Sequence, residues 1–344
     1  MRVLKYREAI AEGTVQCMAA DPSIVVVGQS VDDAKGVYGT TSPAMAQFGP
    51  SRVIDTPNCE TAMAGMAVGA ATQGIRPLVA YTRDDFMFLA MDGIINLAAK
   101  WRYMFGGRAG APVVLRGVVG HGWGQGATHS QSLHSIFGHF PGLRVAVPAT
   151  PADAKGLLVS ALRGADPVVL LENRALYETE GEVPAEPVEV PFGVARIARP
   201  GDDITVVAAS RMVREAERAA VALAEQGISV EVVDVRSVRP LDETTICASV
   251  ARTGRLVVAD TSWARYGISA EIAAVVAERV LDSLRAPIRR VTPPDCPSPV
   301  SWPLEEAFNP DAGTIAQACL DTLRSRHRVA IEQDDLARDF IGPY

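Results

Sequence analysis

Glu60 is the residue in this sequence whose setting best suits proton exchange. It closes the stretch Arg52-Val53-Ile54-Asp55-Thr56-Pro57-Asn58-Cys59-Glu60 and opens a run of small residues from Thr61 to Ala71. Ala and Gly at helical spacing let a helix pack very closely on its neighbours. A carboxylate in the first turn of that helix lies where the helix dipole favours an anion. Apolar surroundings act against the charged form. A carboxylate held between these two influences is suited to trading protons with a bound partner. From this segment alone, a solvated first-turn glutamate that only stabilises its helix is the simpler account.

A second concentration of chemistry lies further on. Four of the five histidines, His121, His129, His134 and His139, fall within nineteen residues of one another. The glycines between His121 and His134 make a flexible or tightly turned loop where backbone can approach a ligand. Loops that follow strands are where open α/β folds place ligands. His129 there can act as acid or base near neutrality, or it can be a hydrogen-bonded imidazole in a glycine-rich turn. His134 and His139 fall on the helix-like run that follows, which favours structural roles, and His121 stays open. No His, Cys and carboxylate spacing supports a zinc site. No GxGxxG follows the first strand, and no GxxxxGK[ST], GxSxG or HExxH motif occurs.

These residues need elements to position them. Ser23–Gly28, Leu78–Tyr81, Pro112–Arg116, Arg144–Val147 and Pro167–Leu171 read as buried strands. Helical runs from Arg7 to Ala19, Glu60 to Gln73, Phe86 to Lys100 and Pro151 to Leu162 alternate with them. Short apolar strands alternating with helices predict a mainly parallel sheet covered on both faces. A Pro- and Glu-rich stretch, 179–200, reads as an extended connection. The alternation then restarts, with strands at Asp203–Ala208, Val230–Val235, Arg255–Ala259 and Ile288–Val291 and helices at Met212–Gln226 and Ile268–Val280. The expected organisation is an α/β domain over 1–178, a connection over 179–200, a smaller α/β domain over 201–326 and a charged tail over 327–344.

Length and composition agree with two domains. The chain has 344 residues, 48% of them hydrophobic, and a net charge of −7. That length exceeds one ordinary core, and the negative charge argues against sequence-independent nucleic-acid binding. No apolar run long enough to span a bilayer occurs, and none of the signal-peptide kind follows Met1 to Arg7. A cytoplasmic protein is the default expectation. The five cysteines are scattered without a CxxC pair, which fits reduced and mostly buried thiols. Cys59, beside Glu60, can be reactive, but a small buried filler is the plainer role.

Several segments in order carry a family resemblance: Arg52 to Gly74, Asn96 to Gly107, Thr128-His129-Ser130-Gln131-Ser132, Phe140 to Val145 and Asp153 to Leu157. The chain resembles the beta subunit of the thiamine-diphosphate-dependent E1 component of 2-oxoacid dehydrogenase complexes, a branch of the transketolase superfamily. The resemblance runs from about residue 4 to about residue 325. It implies a pyrimidine-binding domain followed by a transketolase C-terminal-like domain.

What the resemblance implies for residues is specific. Glu60 matches the glutamate that hydrogen-bonds the cofactor's aminopyrimidine ring and passes it a proton, and Phe86 matches the aromatic that stacks on that ring. His129 matches a histidine near the reactive carbon, placed to stabilise charge or shuttle a proton during decarboxylation or acyl transfer. Val113 with Ala161, Leu162, Gly164 and Asp166 matches a loop that binds potassium through backbone oxygens in some relatives. The implied reaction decarboxylates a 2-oxoacid and passes the acyl group to a lipoyl acceptor. The family's GDG motif for magnesium and diphosphate is absent here, which implies a separate alpha subunit, an alpha2beta2 heterotetramer and a shared active site.

The sequence also departs from that pattern. Gln29 stands where many relatives carry a carboxylate, and Asn58-Cys59 replaces an Ile/Val-Ser pair. Arg83-Asp84-Asp85 precedes Phe86 where apolar residues are usual. This triplet reads as a solvated turn with Arg83 paired to a neighbouring aspartate; a substrate carboxylate or phosphate on Arg83 is the alternative. Two other functions fit the same residues. One is half of a split transketolase-like enzyme that moves a two-carbon ketol unit. The other is a non-catalytic partner subunit, against which the joint retention of Glu60, Phe86 and His129 argues.

Overall fold

The computed structural model describes residues 1–33, 36–120 and 124–332. His121 and the last twelve residues of the tail lie outside them. Among the described residues, contacts divide the chain into two units: Met1–Val119 with Ile136–Phe192, and Gly120–Ser135 with 193–332.

The first unit begins with β1 (Arg2–Lys5), α1 (Tyr6–Ala20), β2 (Ile24–Gly28), α2 (Ser42–Phe48), β3 (Val53–Asp55), α3 (Glu60–Thr72) and β4 (Arg76–Tyr81). A 3-10 turn at Asp84–Ala90, a π-helical stretch at Asp92–Ala98 and α4 (Ala99–Met104) lead to β5 (Val114–Val119). Beyond the glycine-rich loop come α5 (His134–His139), β6 (Arg144–Ala146), α6 (Pro151–Arg163), β7 (Val168–Asn173) and β8 (Glu180–Val183). The six strands β6-β7-β5-β4-β2-β3 lie side by side in that order, all parallel. Runs such as Ile24-Val25-Val26-Val27 form strands here because β-branched side chains suit a pleated surface buried on both faces.

One ionic contact sits inside this apolar sheet. The guanidinium of Arg116 on β5 donates two hydrogen bonds, 2.5 and 2.8 Å long, to the carboxylate of Glu172 on β7, and Tyr177 donates a third at 2.9 Å. Arg116 and Glu172 are both fully buried. Deleting one partner would strand the other charge, at a cost of about 3–5 kcal/mol.

The second unit contains β9 (Arg196–Arg199), β10 (Ile204–Ala208), α7 (Arg211–Ala224), β11 (Val230–Asp234), β12 (Ser237–Arg239), α8 (Glu243–Thr253), β13 (Leu256–Ala259), α9 (Ile268–Val280), β14 (Arg289–Val291), α10 (Trp302–Phe308) and α11 (Ala312–Leu323). Its sheet has the order β14-β13-β10-β11-β9, parallel except for β9.

Two expectations change. The stretch 179–200 holds two strands: β8 pairs antiparallel with β1, and β9 joins the second sheet. The single helix expected from Phe86 to Lys100 is instead a 3-10 turn, a π-helical stretch and the start of α4. Close packing on α3 accompanies that irregularity. A Cβ at Gly93 would come within 2.7 Å of the Ala64 Cβ, so only glycine allows this approach.

All five cysteines are free, with Cys17, Cys247 and Cys319 buried and Cys59 and Cys296 exposed. The buried-filler role expected for Cys59 is therefore wrong; it is exposed at the residue before α3, without a side-chain capping bond. Burial pushes the Cys17 thiol up to about 11 and the Cys319 thiol up to about 12, which withholds the reactive thiolate. Thiol titration of the folded chain should therefore modify two cysteines quickly, and all five only after denaturation.

Candidate active site

β2 leads to β3 on one side, whereas β4 leads to β5 on the other. The carboxyl ends of β2 and β4 thus flank a topological switch point, where open α/β sheets place ligands. Three side chains meet there. Gln29 follows Gly28 at the end of β2, Tyr81 ends β4, and Gly28 is in register with Ala80. Glu60 reaches the same edge because β3 pairs with β2 as far as Gly28 and Asp55, and the Thr56 N–H donates to the Gly28 carbonyl at 2.9 Å. Four residues later α3 begins.

Glu60 is 8% exposed and Gln29 6%. The Gln29 amide Nε2 donates to Glu60 Oε1 at 2.8 Å. Among the described residues the second carboxylate oxygen, Oε2, carries no hydrogen bond. Tyr81 is 1% exposed. Burial, then the charge of Glu60, pushes its hydroxyl pKa far up, so it stays neutral. The expectation of a buried acid at the head of a small-residue helix therefore holds in geometry. The simpler account, a solvated first-turn glutamate, does not.

Phe86 is half-buried on the 3-10 turn that follows β4. That turn is tied to α3 by the Thr61 hydroxyl, which donates to the Leu89 carbonyl at 2.5 Å. Arg83, Asp84 and Asp85 are all buried, so the solvated turn expected for them is overturned. Gly117 makes room for this turn: a Cβ there would come within 2.7 Å of Met87 Sδ and 3.4 Å of Asp84 Cβ.

His129 belongs to the second unit, as part of Gly120–Ser135. It is half-buried, and its Nδ1 shares a 2.8 Å hydrogen bond with the Thr128 hydroxyl. The loop is pinned a few residues on. His134 Nε2 meets Asp260 Oδ1 at 2.9 Å, both fully buried, and the Ser262 N–H also donates to that oxygen at 3.2 Å. The Ile268 N–H, in the first turn of α9, donates to the Ser135 hydroxyl at 2.9 Å. The structural role expected of His134 is thus a buried anchor for the histidine loop.

Four of the five backbone oxygens considered for potassium, those of Val113, Ala161, Leu162 and Gly164, already accept hydrogen bonds. The Arg76 guanidinium donates to the carbonyls of Leu162 and Gly164 at 3.1 and 2.6 Å. The Val113 carbonyl accepts from Val168 N–H, and the Ala161 carbonyl from Gly164 N–H. The Asp166 carboxylate accepts from Arg102 and Arg144. Burial opposes its charge, yet these two hydrogen bonds hold its carboxyl below the usual range.

Comparison with known proteins agrees with this layout. The family described as the transketolase pyrimidine binding domain matches residues 2–180, and the transketolase C-terminal domain matches residues 193–315. A split-gene transketolase, solved as an inactive beta4 tetramer, superposes with a TM-score of 0.77 at 24% identity, covering 94% of this chain and 99% of that one. The beta subunit of acetoin:2,6-dichlorophenolindophenol oxidoreductase from Cupriavidus necator is 44% identical over 94% of this chain and 98% of its own. The beta-2 subunit of the mitochondrial pyruvate dehydrogenase E1 component from Oryza sativa is 43% identical over 92% of this chain and 85% of its own. The chain belongs to the transketolase superfamily and, within it, to the beta subunits of E1 components.

Among the described residues no helix is long and apolar enough to cross a membrane. Tyr81 was missed in the sequence because it reads as the last apolar residue of a strand. Its place beside Gln29 follows from the Gly28–Ala80 register, which the sequence does not show.

His134→Ala should leave the Asp260 carboxylate buried without its imidazole. The expected cost is about 2 kcal/mol, read as a lower urea midpoint with an unchanged slope.

Proposed function

We propose that this chain is the pyrimidine-side half of a thiamine-diphosphate-dependent E1 enzyme. It would decarboxylate a 2-oxoacid and pass the acyl group to a lipoyl acceptor, together with an alpha subunit. The observation that carries this reading is the buried Glu60 carboxylate, held by Gln29 through one oxygen at the switch point of a parallel sheet.

The residues fit the coenzyme's aminopyrimidine ring. Glu60 offers Oε2 to a ring nitrogen, Phe86 offers a half-buried aromatic face, and Tyr81 lines the same edge with a buried hydroxyl that has no hydrogen-bond partner among the described residues. When bound, thiamine diphosphate supplies the electron sink for the charge left by departing carbon dioxide. Glu60 holds and moves a proton at the ring nitrogen, in a site dry enough to strengthen that contact. His129, on its anchored loop, supplies an acid or base for the later proton transfers.

The partner reading rests on the outer face of α3. Ala62, Gly65, Met66 and Gly69 are exposed there, and a Cβ at Gly65 or Gly69 would meet nothing within 4 Å. Met66, Phe88, Leu89, Tyr103, Met104 and Phe105 are exposed large apolar side chains on α3 and the segment that follows β4. Exposed apolar surface of this kind marks a protein partner. The partner is an alpha chain carrying the GDG motif, and it holds the magnesium and diphosphate in an alpha2beta2 heterotetramer; a lipoyl acyltransferase would take the product.

Potassium on the backbone oxygens of Val113, Ala161, Leu162, Gly164 and Asp166 would share those of Leu162 and Gly164 with Arg76 and those of Val113 and Ala161 with backbone amides, since a carbonyl has two lone pairs. A saturable rise in melting temperature with potassium, absent with sodium or choline, is its expected sign; identical melting in all three salts would remove it.

The purified chain alone should turn over neither pyruvate nor acetoin, and addition of an alpha chain should restore carbon dioxide release from a 2-oxoacid. Turnover by the chain alone would reject the shared site. Activity with acetoin but no 2-oxoacid would move the donor to a hydroxyketone.

A further inference from the structure

Tyr81 and Gln29 are the two groups around Glu60 to which the E1 reading assigns no contact with substrate or coenzyme atoms of their own. They stand at the ends of neighbouring parallel strands, one residue beyond the register pair Gly28 and Ala80. Residues in the same phase of adjacent parallel strands point to the same face, so both lie on one side of the sheet edge. Gln29 is tied to Glu60 through its amide Nε2. Tyr81 is not: among the described residues its buried hydroxyl has no hydrogen-bond partner.

A buried hydroxyl without a partner carries a desolvation cost that an apolar ring of the same shape would avoid. Nothing in the apo fold needs the oxygen. Phenylalanine would fill the same space, complete the apolar run of β4 and leave no polar atom stranded. An orphaned polar atom nine-tenths or more buried, beside the Glu60 carboxylate at a switch point, is accounted for by a ligand that arrives later.

We propose that the Tyr81 hydroxyl is a binding group of this site, completed by one hydrogen bond from the nitrogen heterocycle that engages Glu60. The inference rests on the reading of Glu60 given above and deepens it. Gln29 fixes the carboxylate through Oε1, Oε2 faces the ring nitrogen, and Tyr81 takes a second polar atom of the same ring. The neutral hydroxyl can accept from an exocyclic amine or donate to a ring nitrogen. It is therefore a second point of contact that sets the tilt of the ring against Glu60. An amide at position 29 suits this arrangement. It donates to Glu60 without competing for its proton, as a second carboxylate would.

Tyr81→Phe separates this role from a structural one. The apo chain of the variant should melt at the same temperature as the parent or higher, because an unsatisfied group has been removed. In the complex reconstituted with an alpha chain, calorimetry with thiamine diphosphate and magnesium should show binding weakened by about three- to tenfold, the effect of one neutral hydrogen bond. Gln29→Glu should weaken it as well, while leaving the Tyr81 hydroxyl in place. Equal affinity for parent and Tyr81→Phe would overturn the inference and leave the E1 reading standing, as would a variant whose apo chain melts lower. No binding by the parental complex would instead overturn the E1 reading itself.

Discussion

The hydrogen bond between Gln29 and Glu60 joins residues 31 apart in sequence at the edge of three parallel strands. It exists because β2 lies between β3 and β4, which brings the loop after one strand and the helix after another to a single point. Without it, the first turn of α3 would present a buried carboxylate with no fixed direction. With it, one oxygen is held and the other is left to bond elsewhere, an arrangement that suits the proton transfer proposed for Glu60. The placement of α3, the glycine contacts beneath the turn at Asp84–Ala90 and the tie from Thr61 to Leu89 all serve to keep that edge in register.

The two units divide the chemistry. The first holds a carboxylate at the start of α3, an amide just past β2 and a phenol at the end of β4, at positions set by the order of the strands. The second supplies His129 on a loop, and loops need anchors. His134 on Asp260 and Ser135 on the first turn of α9 provide them, each with buried or half-buried groups of the second unit.

Much of this was legible beforehand, and the exceptions have physical reasons. The apolar, β-branched runs of β2, β4, β5 and β7 announce themselves because a strand covered on both faces has no polar positions. The short strands β1, β8 and β9 did not, because they are polar or half-exposed and their pairing is decided by residues far away. Arg83-Asp84-Asp85 looked solvated because three charges in a row usually are; their burial follows from the strand ends around them, which only the folded chain brings together. Glu60 and Phe86 stood out through family resemblance more than through local pattern. Gln29 stood out as a departure from it. That these residues and Tyr81 share one edge is a property of strand order, and strand order is not written in any single segment.

The central claim is that Glu60 moves a proton at the coenzyme's ring. Its most direct test is the exchange of the coenzyme's reactive C–H for deuterium, followed by NMR in the complex reconstituted with an alpha chain. Replacing Glu60 with Gln keeps the size and the hydrogen-bonding shape but removes the proton. Exchange should slow by at least about a hundredfold, the lower range for a positioned acid or base, while the coenzyme stays bound. Exchange at the parental rate in a variant that still holds the coenzyme would contradict the account.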